Sequence, residues 1–331
     1  MLEKLFSIKA SGSSVKSEII GGLTTFLTMA YIIFVNPSIL SETGMDYGAV
    51  FVATCLAAAI GCLIMGLWAN YPVALAPGMG LNAFFTYTVV FSMGYTWQTA
   101  LGAVFFSGCL FFLLSAFRVR EWIIKSIPTT LRLAIAAGIG AFLALIGLQN
   151  ANIIVANDAT MVSLGSLSEP SVQLAAAGFF LIIGLVARQV QGAALISILL
   201  VTLIAWATGL VEYNGIVSAP PSLLPTFMQM DLAAAFDIGM LSVIFAFLFV
   251  DLFDTSGTLL AVAQKAGLAK ANGEMPRLNK ALMADSTATV AGSILGTSTT
   301  TSYIESAAGV ASGGKTGLAA VVVGILFLLA M

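Results

Sequence analysis

The sequence predicts an all-α polytopic membrane protein with two inverted seven-span repeats and two broken helices, C-terminally truncated to about eleven spans. Three observations lead to this prediction: the composition, the apolar runs and two irregular segments. Of the 331 residues, 59% are hydrophobic and 8% are charged, whereas a soluble domain carries about 25% charged residues. The mean hydropathy of +1.03 therefore places the chain in a membrane.

Apolar runs of about 20 residues, the length that crosses a bilayer, give the order of the elements. Residues 1–17 are too polar to span and carry no cleavage-site pattern, which predicts a cytoplasmic N-terminal segment. The last run is only about 24 Å long as a helix, against a bilayer core of about 30 Å, and this predicts a fragment of a longer transporter. We place the spans at 18–36, 49–69, 72–91, 98–117, 131–149, 172–187, 191–210, 240–265, 281–296, 297–313 and 315–331.

Charged residues predict the orientation of these spans. With the N-terminus inside, every Lys and Arg falls on the cytoplasmic side, as the positive-inside rule requires. The opposite loops carry only acidic charges, and the predicted location is a multi-pass protein of the plasma (cell inner) membrane. The basic residues are Lys4, Lys9, Lys16, Arg118, Arg120, Lys125, Arg132, Arg188, Lys265, Lys270, Arg277, Lys280 and Lys315, and the acidic ones are Glu42, Asp46, Asp158, Glu169, Glu212, Asp231 and Asp237.

The residue types also exclude several kinds of chemistry. The chain has no histidine, which removes imidazole metal ligands and Ser-His or Cys-His dyads, so we expect no metal, no cofactor and no enzymatic activity. Its net charge of −2 gives no reason to expect a nucleic-acid partner. Any proton chemistry must therefore use carboxylates.

The third and tenth runs predict broken helices. Residues 72–91 contain Pro72, Pro77, Gly78 and Gly80, and residues 297–313 are rich in Gly, Ser and Thr. Irregular backbone at membrane depth survives only inside protein or beside a water-filled cavity, so the pair marks a binding site. Because an offset of seven spans reverses the direction through the membrane, the two segments are predicted to be equivalent elements of inverted repeats.

Two aspartates in the eighth run, Asp251 and Asp254, need a functional reason. A single charge at the centre of a membrane helix costs roughly 2.5–3.5 kcal/mol on insertion scales. The two residues are about 60° apart around a helix and about 4.5 Å apart along it, so both are expected to face one cavity. Carboxyls this close resist ionising together, and one is expected to be protonated near neutral pH. The structural alternative is a protonated Asp that only ties helices together.

Each broken segment is predicted to lead from an extended stretch into a short helix, near Gly80 and near Ser302, with free N–H groups facing the cavity. Asn82 and Glu305 lie in the first turns of these helices. The motif Ser302-Tyr303-Ile304-Glu305 also fits a capping box, and the residues alone leave both interpretations of Glu305 open.

Other residues are weaker candidates. Tyr303 and Phe84 are kept as aromatic side chains that could stack on a flat ligand. Asp285 lies near the cytoplasmic end of the ninth run and is interpreted as a cap or a partner of a basic loop residue.

At four runs the sequence resembles a known family. The runs GGLTTFLTMAYIIFVNPSIL, ANYPVALAPGMGLNAFFTYTVV, FVDLFDTSGTL and GTSTTTSYIESAAGVASGGKTGL are similar to those of the AzgA-like hypoxanthine-guanine-adenine permeases of the nucleobase:cation symporter-2 superfamily. The resemblance implies a core domain at 18–117 and 240–331 and a gate domain at 118–239.

The same resemblance implies symport of a purine base with a proton by alternating access. Asp251 and Glu305 would accept hydrogen bonds from purine N–H groups, Asn82 and backbone N–H groups such as that of Gly80 would orient the purine, and Asp254 would carry or share the proton. Tyr303 and Phe84 would line the same site. Membrane lipid surrounds such a protein, and the residues leave open whether it forms a homodimer.

Four alternatives stay open at this point. They are a uracil or xanthine carrier of the same fold, a sodium-coupled carrier, an anion carrier and an intramembrane aspartyl protease. An acid-lined site should repel an anion, and the protease would need a GxGD-type motif that the chain lacks.

Overall fold

A computed structural model describes residues 2–117, 129–157, 160–190, 192–211, 218–268 and 275–331. The chain divides into two compact units, Met1–Arg132 with Ala219–Met331, and Leu133–Ser218. The predicted core and gate boundaries remain predictions. Several charges used to predict the orientation lie outside the described residues, namely Arg118, Arg120, Lys125, Asp158, Glu212 and Lys270.

The larger unit contains the Asp251 helix and both broken segments. Its buried apolar cluster joins the segment Met79–Ser92 to the helices Trp97–Ala116 and Ile238–Lys265. Its α-helices are Leu2–Phe6, Val15–Met29, Ile32–Ser41, Tyr47–Ile64, Met79–Ala83, Trp97–Ala116, Ile238–Lys265, Leu278–Leu295, Ser306–Ala311 and Gly317–Leu329, with π-helical turns at Met65–Ala69 and Phe84–Ser92, a 3₁₀ turn at Ala234–Phe236, and strands at Leu75–Pro77 and Thr300–Ser302.

Among its described residues, the smaller unit forms helices and one β-hairpin. It contains most of the helix Thr129–Asn150 and the helices Pro170–Ala187 and Ala193–Ala207. The strands Ile154–Asn157 and Met161–Leu164 pair antiparallel between the first two of these helices. The described chain is mostly helical, as predicted, and the two strands add to that prediction, because a search for runs of about 20 apolar residues cannot detect strands of four.

The helices support a chain that crosses a membrane several times. Five described helical stretches are long and apolar enough to span by length and composition, and shorter apolar helices occupy Met79–Ser92, Ala193–Ala207 and Gly317–Leu329. The number of spans and the inverted repeats remain predictions. The five stretches are Val15–Ser41, Tyr47–Ala69, Trp97–Ala116, Pro170–Ala187 and Ile238–Lys265.

The first predicted span is interrupted. One helix ends at Met29 and the next begins at Ile32, which leaves Tyr31 at the break. Just before the break, the Thr28 hydroxyl donates to the carbonyls of Thr24 (3.0 Å) and Thr25 (2.8 Å), and such bonds to the preceding turn bend helices.

The N-terminal segment is packed against the larger unit. Phe6 and Ile8 are 1% and 2% exposed and form a cluster with Leu318. The Asn70 amide donates to the Phe6 carbonyl (3.0 Å) and accepts from the Gly317 N–H (2.6 Å). Part of the segment predicted as a cytoplasmic lead-in therefore belongs to the folded unit.

Glycines allow the helix Val15–Met29 to approach the helix Ser306–Ala311. A Cβ atom at Gly309 would lie 2.0 Å from the Thr25 hydroxyl and 2.3 Å from the Gly21 carbonyl oxygen. No larger residue fits at Gly309 unless the two helices move apart.

We expect Gly309→Val to destabilise the protein by about 1–3 kcal/mol, because overpacking of a tight contact strains both helices. Thermal unfolding of the detergent-purified protein measures the effect. Gly184→Val is the matched control, since a Cβ atom there meets nothing within 4 Å. Equal destabilisation by both substitutions would contradict the proposed contact.

Candidate functional site

The two broken segments are joined by a short antiparallel sheet. Leu75–Pro77 pairs with Thr300–Ser302, and the Gly78 N–H donates to the Thr299 carbonyl (2.9 Å) at one end of the pairing. These bonds satisfy backbone groups that a broken helix would otherwise leave open in the membrane. The extended stretches predicted from the sequence therefore meet each other.

A close contact at the sheet explains why one of these residues is glycine. A Cβ atom at Gly78 would lie 2.9 Å from the Thr301 hydroxyl oxygen and 3.0 Å from its methyl carbon. Gly78 thus lets the first broken segment approach the second at the point where its helix begins.

Both short helices begin beside this sheet. The first starts at Met79, and the Asn82 N–H makes the bond to the Gly78 carbonyl that opens it (2.9 Å). The Gly80 N–H lies in the first turn of this helix, as predicted, and N–H groups in a first turn have no partner within the helix. The second helix starts at Ser306 rather than near Ser302, because Ser302 still belongs to the strand.

Asn82 is fully buried next to the second broken segment. Its Oδ1 accepts a hydrogen bond from the Ser298 hydroxyl. Its Nδ2 has no hydrogen-bond partner among the described residues. The side chain thus has one end fixed by the protein and one donor available to a ligand.

Glu305 is half-buried and bonds to a side chain from the break in the first span. The Tyr31 hydroxyl donates to Glu305 Oε1 at 2.6 Å. The capping box is not formed, because the Ser302 hydroxyl bonds to Asp285 (3.1 Å) and no side chain caps the helix Ser306–Ala311. The capping box left open by the sequence is therefore absent, and the functional interpretation of Glu305 stays a prediction.

Asp251 lies in a fully buried polar cluster with Asp285. The Thr255 hydroxyl is 3.2 Å from Asp251 Oδ1 and 3.1 and 3.0 Å from the two oxygens of Asp285. Asp285 also accepts from Ser302 in the second strand. Asp285 thus connects the Asp251 helix to the sheet, a contact that its interpretation as a cap or loop partner did not anticipate.

Asp254 has different neighbours from Asp251. The Asp254 side chain is exposed, whereas that of Asp251 is buried. The Asp254 carboxylate lies within hydrogen-bonding range of Thr301 and within electrostatic range of Glu305. Thr301 and Ser302 are adjacent strand residues, whose side chains point to opposite faces. The two aspartates thus have different hydrogen-bond partners, Thr255 for Asp251 and Thr301 for Asp254, and their facing one cavity stays a prediction.

The two aromatic candidates, Tyr303 and Phe84, lie in different surroundings. Tyr303 is buried; its hydroxyl donates to the Pro77 carbonyl (2.6 Å) and its N–H to the Ala74 carbonyl (2.9 Å). It lies within electrostatic range of Glu305 and Asp254, whereas Phe84 packs edge-on against Phe247 at 5.1 Å. Tyr303 is therefore at the carboxylates, and Phe84 contacts the apolar cluster.

Sequence reasoning missed three residues of this arrangement, which are Tyr31, Thr255 and Ser298, and it ranked Asp285 only as a weaker candidate. Only Asp285 carried a usable signal, a carboxylate inside a predicted span. The other three are neutral side chains whose importance depends on a partner distant in the sequence.

Comparison with known proteins identifies what the chain is similar to. A model described as "Permease family" matches residues 16–331. The adenine permease AdeP of Escherichia coli (strain K12) is 54% identical over 99% of this chain and 74% of its own length. The guanine/hypoxanthine permease PbuG of Bacillus subtilis (strain 168) is 49% identical over 99% of this chain and 77% of its own length.

A solved structure shares the fold. The transmembrane domain of the cyanobacterial bicarbonate transporter BicA superposes with a TM-score of 0.70 at 16% identity, and the match covers 95% of this chain and 82% of that one. At this identity the likeness concerns the fold alone. It is a fold of membrane transporters with several apolar helices.

Proposed function

Because the chain belongs to the permease family, as the match over residues 16–331 shows, we propose that it imports a purine nucleobase together with a proton by alternating access. The chain is a multi-pass membrane protein, and permeases are transporters rather than enzymes. Relatives named for adenine and for guanine/hypoxanthine support hypoxanthine, guanine or adenine as the substrate class.

One observation supports the proposal: three of the predicted polar residues, Asn82, Glu305 and Asp254, lie beside the paired strands of the two broken segments. Asn82 opens one short helix, Glu305 precedes the other, and Asp254 lies beside the strand between them. Polar and ionisable groups within membrane-spanning segments mark substrate and ion pathways. Such a group of donors and acceptors suits a flat, uncharged base that carries both N–H groups and ring acceptors.

We assign the roles as follows. Asp251 and Glu305 accept hydrogen bonds from purine N–H groups, and Asn82 with the N–H groups around Gly80 binds the purine acceptors. Asp254 carries the coupling proton or shares it with Asp251 or Glu305. Tyr303 lines the site beside the carboxylates, and Phe84 supports it from the apolar cluster.

Transport requires the site to open alternately to the two sides of the membrane. We propose that residues 18–117 and 240–331 form the core domain that carries the substrate and that residues 118–239 form the gate domain. The protein would lie in the plasma membrane with its N-terminus in the cytoplasm.

Uptake measurements test the function directly. Cells that produce the protein should take up labelled hypoxanthine, guanine or adenine, and unlabelled purines should compete better than uracil. A protonophore should abolish uptake, and replacing sodium should leave it unchanged. Sodium-dependent uptake that resists the protonophore would contradict proton coupling, and a preference for uracil would contradict the substrate class.

Tyr31→Phe should raise the KM for the purine by about tenfold, since a hydrogen bond to a charged group is worth about 1.5–3 kcal/mol and Tyr31 orients Glu305. Initial uptake rates over a range of substrate concentrations measure the change. Tyr87→Phe is the control, because Tyr87 donates to the exposed Glu42 (2.9 Å). An unchanged KM in Tyr31→Phe would mean that Glu305 needs no orientation.

A further inference from the structure

We propose that Ser298 determines specificity by fixing the Asn82 amide, so that the amide presents its N–H₂ group and requires a hydrogen-bond acceptor on the ligand. This inference rests on the proposed function and assigns a role to a residue outside the predicted site. Ser298 would be a positioning residue, because it acts through Asn82.

The hydrogen bond between the two residues defines the orientation of the amide. The Ser298 hydroxyl donates to Asn82 Oδ1, and both side chains are fully buried. With its oxygen engaged, the amide can offer only Nδ2 to a further partner. That atom has no hydrogen-bond partner among the described residues.

A buried donor without a partner is unfavourable in a protein interior. The Asn82 Nδ2 donor lies in the first turn of a broken helix, and its lack of a partner in the described part of the protein is explained if the ligand supplies the acceptor. Without the Ser298 hydroxyl, the amide could turn over and present its oxygen, because the two ends of an asparagine side chain have nearly the same shape.

Ser298 is itself held on both sides. The preceding residue, Thr297, accepts a hydrogen bond from the Asn36 amide (2.9 Å). The following residue, Thr299, accepts from the Gly78 N–H through its carbonyl (2.9 Å). The hydroxyl is therefore preorganised, and it connects the segment that carries Asn82 to the segment that leads to Glu305.

The fixed amide specifies the hydrogen-bonding pattern of the ligand. Asn82 supplies a donor, while Glu305, with one oxygen engaged by Tyr31, supplies an acceptor. A fitting ligand has a ring acceptor at the Asn82 end and N–H groups at the carboxylate end. Purine bases meet this requirement.

Deaza-purines test the inference, since 3-deaza-, 7-deaza- and 9-deazahypoxanthine each replace a ring nitrogen acceptor with C–H, whereas 1-deazahypoxanthine loses the N1–H donor instead. The inhibition constants of 1-deaza-, 3-deaza-, 7-deaza- and 9-deazahypoxanthine are measured against labelled hypoxanthine uptake in the wild type, Ser298→Ala, Asn82→Ala and the double variant. Ser107→Ala is the matched control, because the Ser107 hydroxyl is buried without a partner among the described residues. Surface levels are quantified for every variant.

In the wild type, removing the acceptor that faces Asn82 should weaken inhibition by about tenfold, the equivalent of one hydrogen bond. In Ser298→Ala this penalty should fall to about threefold or less. The double variant should show no further loss beyond that of Asn82→Ala. Ser107→Ala should keep the wild-type penalty.

An unchanged penalty in Ser298→Ala, alongside active wild-type uptake, would overturn this inference alone. A wild type that discriminates against none of the analogues would overturn it as well, because Asn82 would then have its partner elsewhere. A wild type that takes up no purine would refute the proposed function together with the inference.

Discussion

Replacing Asp251 with asparagine is expected to reduce purine uptake at least about 100-fold, equivalent to about 2.8 kcal/mol, while the protein remains in the membrane. Asp251 is 0% exposed and lies near the middle of the 28-residue helix Ile238–Lys265. Asparagine keeps the shape of the side chain but has no charge. Its amide nitrogen is a donor where aspartate has an acceptor oxygen, and this donor would face a purine N–H group.

Exchange measurements separate substrate binding from proton coupling. Asp251→Asn should lose both net uptake and the exchange of external for internal purine, because Asp251 contacts the substrate in the proposed mechanism. Asp254→Asn should lose net uptake but retain exchange, because exchange needs no net movement of protons. Glu169→Gln, at an exposed residue before the helix Pro170–Ala187, is the control. Intact uptake in Asp251→Asn would refute the assignment.

The parts of the site that sequence reasoning anticipated are those with a local signal. A carboxylate in an apolar run is anomalous wherever it lies, which is why Asp251 and Asp254 could be selected. Prolines and glycines in a span likewise predict an irregular backbone near Gly80. The second helix begins at Ser306 instead of near the predicted Ser302, because Ser302 belongs to the strand.

The parts that were missed depend on partners far away in the sequence. Nothing local indicates that Tyr31 reaches Glu305 or that Ser298 reaches Asn82, since a tyrosine or serine in a membrane segment is unremarkable. Helical geometry predicts that both aspartates face one cavity, but it cannot show that their partners differ, because Asp251 bonds to Thr255 on its own helix and Asp254 lies beside Thr301 of the distant strand.

Asp285→Asn should lower both the stability of the detergent-purified protein and purine uptake, the latter by at least about tenfold. Both carboxylate oxygens of Asp285 lie within 3.1 Å of the Thr255 hydroxyl, and one also accepts from Ser302. Asparagine replaces one of these acceptors with a donor, which leaves a buried group mispaired. The sheet would then be held less firmly against the Asp251 helix.

A double-mutant cycle with Thr255→Val decides whether this connection is direct. If Thr255 links the two carboxylates, the stability losses of Asp285→Asn and Thr255→Val should differ from additivity by about 0.5–3 kcal/mol. Thr258→Val, at a buried threonine on the same helix, should be additive with Asp285→Asn. Additivity in both cycles would mean that Asp285 supports the fold independently of Asp251, and its effect on uptake would then have to be explained through Ser302 and the strand.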